Sequence, residues 1–134
     1  MKKRDGFFKK LFLVAAIYDL VLGILFFAFY EPIYKYFNIA IPNYPIYLQM
    51  AAAFVIAMGV GYYFVYKNLY RNIDLVKLGV VYKAVYSGLT SYWYFIGLGN
   101  VIFFWFAIFD FIFLILFVCF LIYAKKDSRY LKWK

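Results

Sequence analysis

The chain has 134 residues, 69% of them hydrophobic and 16% charged, with a mean hydropathy of +0.80 and a net charge of +9. Soluble domains lie nearer roughly 45–50% apolar and 25% charged, so this composition excludes a water-soluble globular domain and equally a disordered chain. A single cysteine and the absence of histidine exclude an internal disulfide and remove the commonest metal ligand and general base; neither a metal nor a cofactor is expected.

Lys2, Lys3, Arg4, Lys9 and Lys10 open the sequence. A helix needs about 20 mostly apolar residues to cross a hydrocarbon core roughly 30 Å thick. Four stretches meet that requirement, at about 11–30, 46–66, 75–97 and 100–124. The expected fold is therefore an all-α membrane protein: one domain over residues 1–134, a four-transmembrane-helix bundle. The first stretch carries Asp19 and ends on Phe26-Phe27-Ala28-Phe29-Tyr30. It is longer and bulkier than a signal h-region with a small-residue cleavage site, so a retained helix is expected. Cys119 lies inside the last stretch and forms no lipidation motif.

Between the first two spans lies an outer loop, residues 31–45. Pro32 followed by Ile33, Tyr34, Tyr36 and Phe37 predicts a short helix lying in the interface, stopped by Pro42 and Pro45. It either rests at headgroup level or covers the mouth of the bundle. The last two spans are joined by a tight Gly97-Leu98-Gly99-Asn100 turn. Lys67, Arg71 and Lys77 precede the third span, and Lys125, Lys126, Arg129, Lys132 and Lys134 follow the fourth, while the opposite side holds only Lys35. Positive charge stays cytoplasmic, so both termini are expected inside, in the cell membrane. That bias and attraction to anionic lipid account for the net charge without a nucleic-acid partner. Tyrosine and tryptophan suit two interfacial girdles: Tyr30, Tyr34, Tyr44, Tyr47, Tyr92, Trp93 and Tyr94 outside, and Tyr66, Tyr70, Tyr123, Tyr130 and Trp133 inside. The 28% aromatic content also allows a ring-lined cavity for a flat apolar ligand, although no motif marks one.

Asp19, Lys83 and Asp110 are charged groups placed where a charge costs about 2.5–3.5 kcal/mol, so they are expected to face the bundle interior and find partners. Counted from the span ends, Asp19 and Lys83 lie level enough to pair, whereas Asp110 falls deeper, beside Thr90 and Ser91. Lys83, Ser87, Thr90, Ser91 and Tyr94 form one polar stripe at helical spacing. Two readings of this cluster stay open. In one, Asp19–Lys83 fixes register and a neutral Asp110 bonds to hydroxyls; in the other, the set relays a proton or cation or meets a substrate's charge. The second span presents Gln49, Ala53, Ala57 and Gly61 at steps of four, a small-residue helix-packing face.

The first and last spans echo one another. Residues 16–29 and 107–120 are identical at seven of fourteen positions, with Asp19 matching Asp110. Because the two helices run in opposite directions, the match is either an inverted-topology repeat of the kind transporters use or a coincidence within a small apolar alphabet.

The four-span layout, Leu22-Gly23-Ile24-Leu25-Phe26 in the first span and Gly59-Val60-Gly61 in the second, resembles the DoxX-like group of small bacterial membrane proteins. That resemblance implies a four-helix membrane fold, in a group where some members are similar to subunits of membrane oxidoreductases, and it assigns no catalytic residue here. The small multidrug exporters are a second resemblance, with four spans and one acidic residue in the first. There the fixed orientation and the basic Lys83 depart from their pattern.

Three functions follow. An accessory or scaffold subunit of a larger membrane complex, or a homo-oligomer, suits a nearly loop-free bundle with no catalytic constellation. A small transporter or proton-coupled carrier would use Asp19, Lys83 and Asp110. A binder of lipid, quinone or another apolar ligand would use the aromatic interior. An enzyme is not expected, since Ser87 four residues from Lys83 is the only nucleophile–base candidate.

Overall fold

The computed structural model describes residues 3–127. Its helices are α1 Lys3–Ala28, α2 Tyr30–Tyr36, α3 Pro45–Lys67, α4 Ile73–Phe95 and α5 Val101–Lys125, with no strand among the described residues. Expectations resting on Lys2, Arg129, Tyr130, Lys132, Trp133 and Lys134 lie outside the described residues. Three helices, α1, α3 and α5, are long and apolar enough to cross a membrane, in keeping with the all-helical membrane protein that the composition predicts. α4 equals α3 in length, at 23 residues each. It is less apolar because it carries Asp74, Lys77 and Lys83, with Ser87, Thr90 and Ser91 beyond them.

Spacing explains which side of each helix turns inward. On α1 the buried positions are Asp5, Phe8, Leu11, Phe12, Ala15, Ala16, Asp19 and Gly23, which recur at three- and four-residue spacing and trace one face of a 3.6-residue helix. The same rhythm marks Ala107, Asp110, Phe117, Phe120 and Ala124 on α5. Outward faces are apolar too: Val14, Ile17, Val21 and Ile24 on α1 are all half exposed or more. In water that surface would drive association; against lipid it has no such penalty.

α1 packs along α3, and α4 along α5, with sparser contact between the two pairs. The α1–α3 approach is closest at two glycines. A Cβ on Gly23 would stand 2.5 Å from Ile56 Cγ1 and 3.0 Å from its backbone nitrogen, and one on Gly59 would stand 2.8 Å from Leu20 Cγ. The packing face of α3 is therefore Ala52, Ile56 and Gly59. This corrects the expected Gln49, Ala53, Ala57 and Gly61 face. Ala53 and Ala57 are exposed and Gly61 has nothing within 4 Å, although Gln49 Nε2 does donate to the Phe27 carbonyl at 3.3 Å. A strict step of four drifts around a helix by some 40° per turn, whereas the contact follows mixed steps of three and four.

Both ends of the bundle are tied. At one end the hydroxyls of Tyr70 and Tyr123 each donate to Asp5 Oδ1 at 2.9 Å, joining the start of α1, the α3–α4 turn and the end of α5. Burial, then the Asp5 hydrogen bond, holds the Tyr70 phenol above its ordinary pKa. At the other end Asn100 Nδ2 donates to the Phe37 carbonyl at 3.4 Å, joining the α4–α5 turn to the α1–α3 connection. α4 therefore runs the full length of the bundle. It stops at Phe95, short of 97, because Gly97 at φ +87° closes it. There the Gly97 and Leu98 N–H groups bond the carbonyls of Tyr94 and Trp93, the pattern of a Schellman cap. α2 ends the same way on Asn38 at φ +56°. α1 begins at Lys3, well before the expected 11, because Asp5 and Phe8 extend its inward face.

Candidate functional site

Midway along the bundle, α1, α4 and α5 bring Asp19, Lys83 and Asp110 together. Lys83 is fully buried, Asp19 is 2% exposed and Asp110 5%. Lys83 Nζ donates to Asp110 Oδ1 at 2.8 Å and stands 3.6 Å from Asp19 Oδ1, close enough for an ion pair but beyond a hydrogen bond. The expected pairing is thus corrected: Asp110, not Asp19, is the nearer partner of Lys83, and its hydrogen bond comes from that ammonium rather than from Thr90 or Ser91. Helix starts explain the error. With α1 beginning at Lys3 and α5 ending at Lys125, Asp19 and Asp110 lie ~24 Å and ~22 Å from the same end of the bundle, and so at one level.

The rest of the polar stripe divides. The Ser87 hydroxyl is buried and donates to the Ala107 carbonyl at 3.1 Å, so it clips α4 to α5 and is not held by Lys83. Thr90 is half-buried, and Ser91 lines a shallow groove on the outer side of α4 and α5. Rings surround the lysine instead: Nζ lies 5.1 Å from the Phe113 centroid, 5.4 Å from Tyr62 and 5.7 Å from Tyr82, within cation–π range.

Beside this cluster, between the two helix pairs, lies a cavity of about 130 Å³. Tyr18, Asp19, Leu22, Gly23 and Phe26 line it from α1, Leu48, Ala51, Ala52 and Val55 from α3, Tyr82 and Tyr86 from α4, and Phe103, Phe106 and Asp110 from α5. Ala51 is exposed, so the wall on the α3 side is not sealed. Two polar atoms of the lining are buried without a hydrogen-bond partner, Asp19 Oδ2 and the Tyr18 hydroxyl. Buried polar atoms are ordinarily satisfied, so an unmet acceptor on a cavity-lining residue makes Asp19 a candidate binding group.

Toward the Asn100 end of the bundle, Tyr34 of α2 is 8% exposed and packs edge-on against Phe26 and Phe103 at 6.3 and 6.2 Å. Burial holds its phenol above its ordinary pKa. α2 thus seats one ring on two cavity-lining rings, turning Tyr34 inward. Tyr44 and Tyr47 are exposed.

Sequence reasoning found the three charges but missed Asp5, Tyr18, Tyr82 and Tyr86. Asp5 was legible, because it continues the face of Phe8, Phe12 and Asp19. Tyr18 and Tyr82 sit next to Asp19 and Lys83 in the chain, and Tyr86 is one turn beyond Tyr82, but nothing in the sequence says that those neighbours share a space. Set against protein-family models, curated proteins and solved structures, the chain finds no match in any of the three, and its chemistry is read from these residues.

Proposed function

We propose that the chain is a four-pass protein of the cytoplasmic membrane, with both termini on the cytoplasmic side, that holds a small ligand between its two helix pairs, as a carrier does. Support for the four passes comes from α4 running from the Asp5 end of the bundle to the Asn100 end, and from basic residues gathered at the ends of α1, α3 and α5. This is the layout the DoxX-like resemblance implies. The observation that carries the ligand-holding reading is the cavity of about 130 Å³ beside an Asp19 whose Oδ2 has no partner. A bundle built only to pack would close over that space, since interiors are close-packed and each void costs stability.

The test is ligand binding by the intact protein in mild detergent, compared with Val55→Phe, which puts a ring into the cavity. Single-ring molecules should raise the melting temperature of the parent and leave Val55→Phe unmoved. If none of them does so in either protein, the reading fails.

The accessory-subunit reading has its own observation, the groove of about 560 Å³ between α4 and α5, floored by Ala84, Gly88 and Ala107, where a neighbouring helix could approach closely. Pull-down from native membranes tests it, and a monomer without a stable partner would count against it.

A further inference from the structure

What the cavity accepts can be narrowed from its charge. Two carboxyl groups, Asp19 and Asp110, line it, and one ammonium, Lys83, serves both. Lys83 is committed to Asp110, with a 2.8 Å hydrogen bond against 3.6 Å to Asp19. Asp19 keeps a second oxygen with no donor, on a side chain almost wholly buried. An anionic ligand would meet two carboxyl groups in a poorly screened space. A neutral ring would fill the volume and leave that oxygen unmet. A cation with an N–H group satisfies it through a charge-assisted hydrogen bond, and aromatic faces within about 6 Å attract the same charge. Lys83 already uses Phe113 and Tyr62 in this way, while Phe26, Tyr82, Tyr86 and Phe106 line the empty part.

We infer that the cavity binds a small organic ammonium ion, about one ring in size, with its N–H group on Asp19 Oδ2 and its carbon body against Phe26, Tyr82, Tyr86 and Phe106. The inference deepens the ligand-holding reading and rests on it. Size agrees, because a space of about 130 Å³ is close to the ~150 Å³ apolar cavity that accepts benzene. The site also has a built-in consequence. Asp19 belongs to the α1–α3 pair, and Lys83 and Asp110 to the α4–α5 pair, so a cation on Asp19 competes with the longer contact of Lys83, a charged link between the pairs.

Three probes of one shape and different charge decide the matter: benzylammonium, benzyl alcohol and benzoate, titrated calorimetrically into the full chain in mild detergent at neutral pH. Benzylammonium should bind about tenfold or more tighter than benzyl alcohol, the equivalent of one charge-assisted contact, and benzoate should not bind measurably. Asp19→Asn should abolish the preference for the ammonium. Equal affinity for benzylammonium and benzyl alcohol, or a preference for benzoate, overturns the inference but leaves a ligand-holding bundle. Binding of none of the three overturns both. The comparison among probes is made on the unaltered protein, so it decides even if Asp19→Asn does not fold.

Discussion

A lysine with no exposed surface, 2.8 Å from one carboxylate and 3.6 Å from another, is stable only as long as its partners remain. Removing one member of a buried ion pair strands the others, at a cost of about 3–5 kcal/mol. Lys83→Met should therefore lower the unfolding free energy in a detergent titration by that order, and adding Asp110→Asn to it should restore part of the loss. The two distances also set an order between the acids. Asp110→Asn removes the charge of the hydrogen-bonded partner and should cost about 1.5–3 kcal/mol, whereas Asp19→Asn should cost less; the reverse order would reinstate the pairing that sequence depth predicts. Which residues matter was legible, because an ionisable group inside an apolar span must be buried against something. Who touches whom was not. A depth counted from the first apolar residue ignores the helical turns in which Asp5 and Phe8 already face inward.

Helices, more than residues, show where sequence patterns mislead. Small residues on α3 occur at both Ala53-Ala57-Gly61 and Ala52-Gly59, and the sequence alone does not say which set meets a neighbour. The backbone distances do, and they predict opposite outcomes for two glycines of one helix. Gly59→Ala would put a methyl group 3.0 Å from the Leu20 nitrogen and 3.2 Å from the Ala16 carbonyl, backbone atoms that do not rotate away, and should destabilise by about 1–3 kcal/mol. Gly61→Ala meets nothing within 4 Å and should be neutral or stabilising by up to ~1 kcal/mol through helix propensity. Thermal unfolding of the two variants side by side separates the faces. At the head of α5, Asn100 accepts from the Ile102 N–H at 2.9 Å as an N-cap, and Asn100→Ala should cost about 1 kcal/mol and release the α4–α5 turn from Phe37. That turn was readable from Gly97 and Asn100, since a positive-φ closure followed by a cap needs those residue types.

For the molecule as a whole, the question is whether α4 crosses, because it decides the side of everything after it. α1, α3 and α5 qualify by apolar length and α4 does not, yet α4 has the same 23 residues as α3 and runs between the two turns, at Tyr70 and Asn100, that tie the ends. Its polar groups are no obstacle, since Lys83 and Ser87 are turned inward onto Asp110 and the Ala107 carbonyl, while Leu78, Val81, Val85 and Leu89 face outward. Apolar averages undercount such a helix because they weigh its buried face as though lipid touched it. With four crossings, a cysteine at Asn43 or Leu98 lies outside and one at Lys67 or Lys126 lies inside. With three, Leu98 falls on the same side as Lys67, and Lys126 joins Asn43. Single cysteines at these positions in a Cys119→Ser background, labelled in intact cells with a membrane-impermeant maleimide, should react at Asn43→Cys and Leu98→Cys, and at Lys67→Cys and Lys126→Cys only after lysis. Protection of Leu98→Cys in intact cells would remove α4 from the membrane. The Lys83 cluster would then have no lipid to hide from, and the surplus carboxylate that the ligand inference depends on could be met by water.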